Sequence, residues 1–317
     1  MTDTRKGYLF AFAANLLWGF MPVYIKLLRE AGSVEILAHR VVWSVVVVSL
    51  LLAVTRKWGQ LKALVRRPKA LAAVAFAAVL LAGNWWMYIY GVNTNRVVES
   101  ALGYFINPLV IVVLGVTVLR ERLRAAQWLA VGIGAVAVGV LTVDYGRLPY
   151  IALFLALTWG GYGLVKKRLQ LGATEALLVE SGVLAIPALA YLVWLTSTPD
   201  TAFGDHVGLT LLLVSAGFVT AVPLLFFAGA ANRIPLTAIG IMQYLTPVLQ
   251  LALGVFLFHE PMPPARLAGF ALVWLALIVF TADGIRAASR ARAQARNRRA
   301  GDSADQGTSY ASSGVPS

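Results

Sequence analysis

Apolar runs of about 20 residues recur along the chain, each bounded by charge, glycine or proline, and that is the length a helix needs to cross the hydrocarbon of a bilayer. Ten such runs predict ten spans: residues 7–28, 36–54, 71–91, 97–119 and 125–143, then 149–165, 174–196, 207–229, 235–258 and 264–283. The fold class that follows is an all-α membrane protein of ten transmembrane helices.

The polar segments between the runs alternate in charge. With a cytoplasmic N-terminus, one set of segments carries Arg5, Lys6, a cluster from Arg56 to Lys69, Arg120, Arg122, Arg124, Lys166, Lys167, Arg168 and Arg233. The opposite set holds only Lys26, Arg29, Arg40, Arg96, Arg147 and Arg266. By the positive-inside rule both termini lie in the cytoplasm of a cell with a bacterial-type inner membrane. Arg5 and Lys6 ahead of an apolar run resemble a signal peptide, but no small-residue cleavage site follows, so the first span is expected to stay uncleaved.

Composition narrows the picture further. Hydrophobic residues make up 59% of the 317 and charged ones 13%, against roughly 25% charged in soluble domains. The net charge of +13 is read as a topology signal facing the lipid bilayer, with no nucleic-acid partner. The basic stretch 286–299 and the Ser/Gly/Asp-rich stretch 301–317 form a tail too polar to fold alone. Zero cysteines exclude disulfides, thiolate nucleophiles and Cys-based metal sites.

At an offset near 140 residues the chain repeats itself. Pro108, Gly115 and Glu121 recur as Pro247, Gly254 and Glu260, and Trp18-Gly19 with Lys26 recurs as Trp159-Gly160 with Lys167. Asn95-Arg96 matches Asn232-Arg233, and Glu35 matches Glu175. The expected organisation is a first five-helix repeat over 1–146, a second over 147–285 and a tail over 286–317. Five is odd, so the second copy enters the membrane from the opposite side. The result is a 5+5 inverted-topology repeat, an arrangement suited to alternating access.

Polar side chains at membrane depth are costly and therefore candidates for function, although many only join neighbouring helices. Asn15, Trp18 and Tyr24 share span one, and Asn84, Trp85 and Tyr88 share span three. Tyr104 and Asn107 precede Pro108; Gln243 and Tyr244 precede Pro247, with Gln250 one turn later and Trp159 in span six. These groups offer donors, acceptors and aromatic faces to a small organic solute. The two prolines each remove a backbone hydrogen bond and are hinge candidates. His39, Arg40, Glu99 and Glu180 are the ionisable set, with Glu180 at the repeat position of Arg40. Proton carriage and ion pairing, as of Arg40 with Glu99, both stay open for them. Glu121 and Glu260 sit at helix ends, where capping or salt bridging is expected.

Other motifs point nowhere. Gly132, Gly134 and Gly139 do not make a dinucleotide fingerprint, and His259-Glu260 lacks the second histidine of a zinc protease. No nucleophile elbow, P-loop or carboxylate-rich metal cluster is present, so neither an enzyme nor a cofactor or metal is expected.

The strings Trp18-Gly19-Phe20-Met21-Pro22-Val23-Tyr24, Glu35-Ile36-Leu37-Ala38-His39-Arg40 and Glu99-Ser100-Ala101-Leu102-Gly103-Tyr104-Phe105-Ile106-Asn107-Pro108-Leu109 carry a resemblance, extended by Gln243-Tyr244-Leu245-Thr246-Pro247 and Phe258-His259-Glu260-Pro261. Over residues 7–283 the chain resembles the RarD-type members of the drug/metabolite transporter superfamily, built from two EamA-type repeats. The resemblance implies a ten-helix inner-membrane permease with a central cavity lined mainly by spans one, three, four, six, eight and nine. Such proteins are commonly labelled for chloramphenicol sensitivity, which does not name a physiological substrate. The expected function is a secondary transporter for a small metabolite or amphiphilic compound, with a non-transporting receptor or scaffold as the alternative.

Overall fold

The computed structural model describes residues 3–55, 68–120, 123–169, 173–286 and 289, with backbone alone at 52, 55, 119, 166–169, 173–177, 236 and 237. Expectations that fall on the cluster at 56–67, on Glu121 and on the tail beyond Arg286 lie outside the described residues. Nine helices among the described residues are long and apolar enough to cross a membrane, and a tenth has a shorter apolar part, Tyr150–Val165. That tenth helix runs on to Leu169, and its 20 residues span about 30 Å at the α-helical rise.

Spans two to eight are the helices Ser33–Thr55, Pro68–Asn93, Val97–Leu119, Ala125–Tyr145, Tyr150–Leu169, Ala173–Leu195 and Val207–Ala231, and span ten is Pro264–Arg286. Spans one and nine are interrupted, which the apolar pattern does not signal. Span one breaks at Phe20 into Asp3–Gly19 and Met21–Leu27, with Pro22 opening the second piece. Span nine comprises Leu236–Met242, Leu245–Ala252 and the π-helical turn Leu253–Leu257. The cause of that break is Pro247. It has no N–H to give the Gln243 carbonyl, which instead accepts from Thr246 N at 3.3 Å. Its repeat counterpart Pro108 lies inside a continuous helix, so the interruption is not repeated in span four.

The surface carries the apolar load. Val143, Ile186, Val207 and Phe256 each leave three-quarters or more of their surface exposed, an arrangement that lipid tolerates and water does not. Inside, Leu102, Phe105, Leu141 and Phe270 join spans four, five and ten.

Helix packing obeys the repeat. Span four packs on span six as span nine packs on span one; span two packs on span eight as span seven packs on span three. Spans two and seven, and four and nine, meet as counterparts, and spans five and ten are joined by Arg124 with Asp283 and by Asp144 with Arg266. The backbone repeats too: Arg120 and His259, each just before its repeat glutamate, both take left-handed conformations, at φ 53° and 56°. The symmetry is incomplete, however. Span three leans on Met21–Leu27 and on span two, whereas span eight has no comparable packing on spans six and seven among the described residues.

Close approach of spans four and six depends on Gly103, where an added Cβ would stand 2.8 Å from the Ala152 carbonyl oxygen and 3.1 Å from its Cα. Backbone cannot yield as a side-chain tip can, so Gly103→Ala is expected to destabilise by about 1–3 kcal/mol and to lower Tm in detergent. Gly139→Ala, with nothing within 4 Å, should leave Tm unchanged or raise it.

Candidate functional site

Arg40 lies about two helical turns into span two and is buried, 6% exposed. Its Nε donates to Thr220 Oγ1 of span eight at 2.9 Å, and that hydroxyl in turn donates to the Ala216 carbonyl at 2.8 Å. The guanidinium carbon sits 4.3 Å from the centre of the Trp85 ring. Tyr24, Tyr88 and Tyr104 lie within its electrostatic reach, and the Tyr88 and Tyr104 rings meet edge to face at 5.8 Å. The buried Tyr88 hydroxyl has no hydrogen-bond partner. Four of the sequence-predicted residues are thus gathered around Arg40 by spans one, three and four.

Most other candidates join helices. Asn15 Oδ1 accepts from Thr246 Oγ1 at 3.0 Å, and Gln250 Nε2 donates to the Trp18 carbonyl at 3.1 Å, tying span nine to span one. Asn84 Nδ2 donates to the Leu155 carbonyl and to Thr158 Oγ1, each at 2.9 Å, tying span three to span six. Tyr24 donates to the Leu212 carbonyl of span eight at 2.7 Å. Trp18 packs on Phe227, and Trp159 on Tyr162. Tyr244 reaches Thr281 of span ten, while Gln243 is exposed. The side-chain oxygens of Asn84, Asn107 and Gln250 are buried and have no hydrogen-bond partner among the described residues.

The ionisable candidates separate. Glu180, 1% exposed, accepts from the Tyr162 hydroxyl at 3.1 Å. Tyr162 was not among the sequence candidates, although it lies about one helical turn after Trp159, which was. His39 stacks on Phe203 at 4.7 Å with both ring nitrogens unpartnered. The expected pairing of Arg40 with Glu99 is overturned. Glu99 instead holds Arg147 through two bonds of 2.7 and 3.2 Å and accepts from Ile151 N at 3.1 Å. Span four packs on span six, so the residues leading into span six, and not span two, reach Glu99. The hydrogen-bonded carboxylate raises the Arg147 pKa above its ordinary value, which keeps the guanidinium charged.

At the bundle end away from the N-terminus, Glu99 belongs to a set. Glu260 accepts from Val97 N at 2.6 Å and Val98 N at 2.8 Å, capping the start of span four from span nine. Glu35 accepts from Ala202 N at 3.0 Å and Phe203 N at 3.2 Å, just before span eight. All three carboxylates are buried, and each bonds the other repeat. Helix starts expose N–H groups that lack intrahelical partners, and carboxylates satisfy them with charge assistance. A polar recess of about 180 Å³ lies among them, lined in part by Arg96, Glu99, Tyr145, Arg147 and Glu260. At the opposite end the cross-repeat pairs Arg233–Asp3 and Arg124–Asp283 are more exposed. No group of three His, Asp or Glu able to hold a metal occurs among the described residues.

Apolar spans duplicated in opposite senses, with buried polar residues at the centre, define a membrane carrier fold. The EamA-like transporter family model matches twice, over residues 5–143 and 148–282, and the chain belongs to that family as a RarD-type member. "Protein RarD" of Streptomyces exfoliatus is 51% identical over 293 residues, 92% of this chain and 93% of that protein. An "Uncharacterized transporter" of Vibrio cholerae is 40% identical over 291 residues, 92% of this chain and 96% of that one. One crystal structure shares the fold at a TM-score of 0.56 and 19% identity, covering 86% of this chain and 96% of its own.

Removing the Glu260 carboxylate strands two helix-start donors, and Glu260→Ala is expected to cost about 1–3 kcal/mol. It should also loosen this end. In the cysteine-free chain, Ser100→Cys reports on the fully buried Ser100 position. Labelling by a membrane-impermeant maleimide should rise in the Glu260→Ala background; unchanged labelling would show that the cap does not hold the end shut.

Proposed function

We propose that this membrane transporter is a secondary carrier that moves a small metabolite or amphiphilic compound across a bacterial inner membrane by alternating access. The observation that carries the reading is the unequal packing of two equivalent halves: span three packs on span two and on Met21–Leu27, whereas span eight shows no comparable packing on spans seven and six among the described residues. Two copies of one fold in different packings are what an inverted repeat uses to face opposite compartments in turn. The carboxylate-capped end is the shut one, and with both termini cytoplasmic it faces outward. The sequence has no nucleotide-binding motif, so the solute gradient or an ion gradient supplies the free energy.

Proton coupling is assigned to Glu180. It is a buried carboxylate in a span interior that accepts from a tyrosine hydroxyl. Buried acids of this kind act as proton relays in transporters. Their protonated and ionised forms favour different surroundings, which links proton loading to the packing of span seven.

A thermal-shift panel of metabolites identifies a ligand by mass action, and counterflow of that ligand in proteoliposomes tests the carrier. Saturable counterflow is expected; its absence for every stabilising ligand favours the receptor or scaffold. Glu180→Gln should retain counterflow yet lose accumulation driven by a pH gradient, while Glu99→Gln keeps that accumulation. Equal gradient dependence in Glu180→Gln and wild type would remove the proton role from Glu180.

A further inference from the structure

Arginine keeps its charge in proteins and offers five N–H donors in a planar fork. At Arg40 one of these is used, by Thr220, and the guanidinium makes no other hydrogen bond and no carboxylate pair among the described residues. The buried acids are engaged elsewhere: Glu99 by Arg147, Glu35 and Glu260 by backbone N–H groups, and Glu180 by Tyr162. Trp85 supplies a stacking face at 4.3 Å, which accommodates the cation without neutralising it. Beside it stands Tyr88, 3% exposed, with a hydroxyl that has no hydrogen-bond partner among the described residues.

We infer that Arg40 is the headgroup site for an anionic substrate, a small carboxylate or phosphate monoester with an aromatic or apolar body. Its two anionic oxygens dock on the terminal nitrogens of Arg40, the Tyr88 hydroxyl donates a further bond, and the rings of Trp85 and Tyr104 cover the apolar part. Geometry supports this assignment. The fork matches the spacing of carboxylate and phosphate oxygens. Thr220 and Trp85 fix the guanidinium from one edge and one face, leaving its far edge for a ligand. An anion supplies the missing counter-charge, and a solute lacking one leaves the buried cation uncompensated.

This inference rests on the carrier reading for its meaning as substrate class but is tested by binding alone. The purified full-length protein in detergent is titrated with four probes of similar ring and different headgroup: benzoate, phenyl phosphate, benzamide and benzylamine. Benzoate or phenyl phosphate is expected to raise Tm in a saturable manner, with benzamide and benzylamine inactive; the response to the two anions shows which oxyanion fits. Arg40→Gln should weaken the active anion about tenfold or more, as loss of a charge-assisted partner does, and Tyr88→Phe should weaken it by a smaller factor. If Arg40→Gln does not survive purification, Arg40→Lys decides, since it keeps the charge and loses the fork: weakened binding is expected. Lack of an anion-specific shift in the wild type, an equal response to benzamide or benzylamine, or undiminished anion binding in the Arg40 variants overturns the inference. Counterflow of a neutral or cationic solute alone would leave the carrier standing and remove the anion site. Arg40-dependent anion binding without counterflow would do the reverse.

Discussion

Every helix that starts at the edge of an apolar slab presents backbone N–H groups with no partner in its own helix, and in hydrocarbon no water makes up the deficit. In this protein the deficit is met across the repeat boundary. Glu260 of the second half caps span four of the first, Glu35 of the first caps the approach to span eight, and Glu99 of the first bonds the start of span six and the arginine before it. The three carboxylates therefore do more than neutralise charge. They make each half the completion of the other at one end of the bundle, and parting the halves there exposes donors and acceptors together.

The centre is arranged on a different rule. Asn84, Tyr24 and Gln250 spend their donors on neighbouring helices, and Asn15 donates to the Ala11 carbonyl of its own helix while accepting from Thr246, so the polar content of the spans is largely structural. Among the described residues the unpartnered buried atoms include the Tyr88 hydroxyl and the amide oxygens of Asn84, Asn107 and Gln250, and also both His39 ring nitrogens, the Trp43 ring nitrogen and the side-chain oxygens of Ser44, Asn93 and Tyr145. Buried polar groups cost free energy when unsatisfied, and at Arg40 and Tyr88 a solute can complete them.

The spans were legible in the sequence because a bilayer demands about 20 apolar residues per crossing, and the repeat was legible because Pro, Gly and Glu recur at fixed spacing. The breaks in spans one and nine were not. Pro22 and Pro247 were visible, but Pro108 shows that the same residue in the same register can sit inside an unbroken helix. The function of Glu260 as a cap was foreseeable from its place at a helix end, but its partner was not, since a backbone N–H carries no residue identity. Glu99 was assigned the wrong arginine for a related reason. Depth along a span can be counted from sequence, whereas which spans are neighbours cannot, and span four turned out to lie against span six. Arg40 was legible as a costly group in the membrane; its lack of a carboxylate partner required coordinates.

The equivalence of Arg40 and Glu180 bears on how such a chain arose. A two-fold assembly of one identical five-helix unit, inserted in both orientations, presents the same side chain twice at every equivalent position, so spans two and seven would carry two cations or two acids in symmetric places. Fusion into a single polypeptide removes that restriction. Each half then evolves under its own selection, and one position comes to hold a fixed positive charge with Tyr24 nearby in the first copy and an acid bonded to Tyr162 in the second. Joining two copies in one polypeptide thus permits broken symmetry at the centre, while the packing of span four on six and of nine on one, and of two on eight and of seven on three, still follows the two-fold pattern.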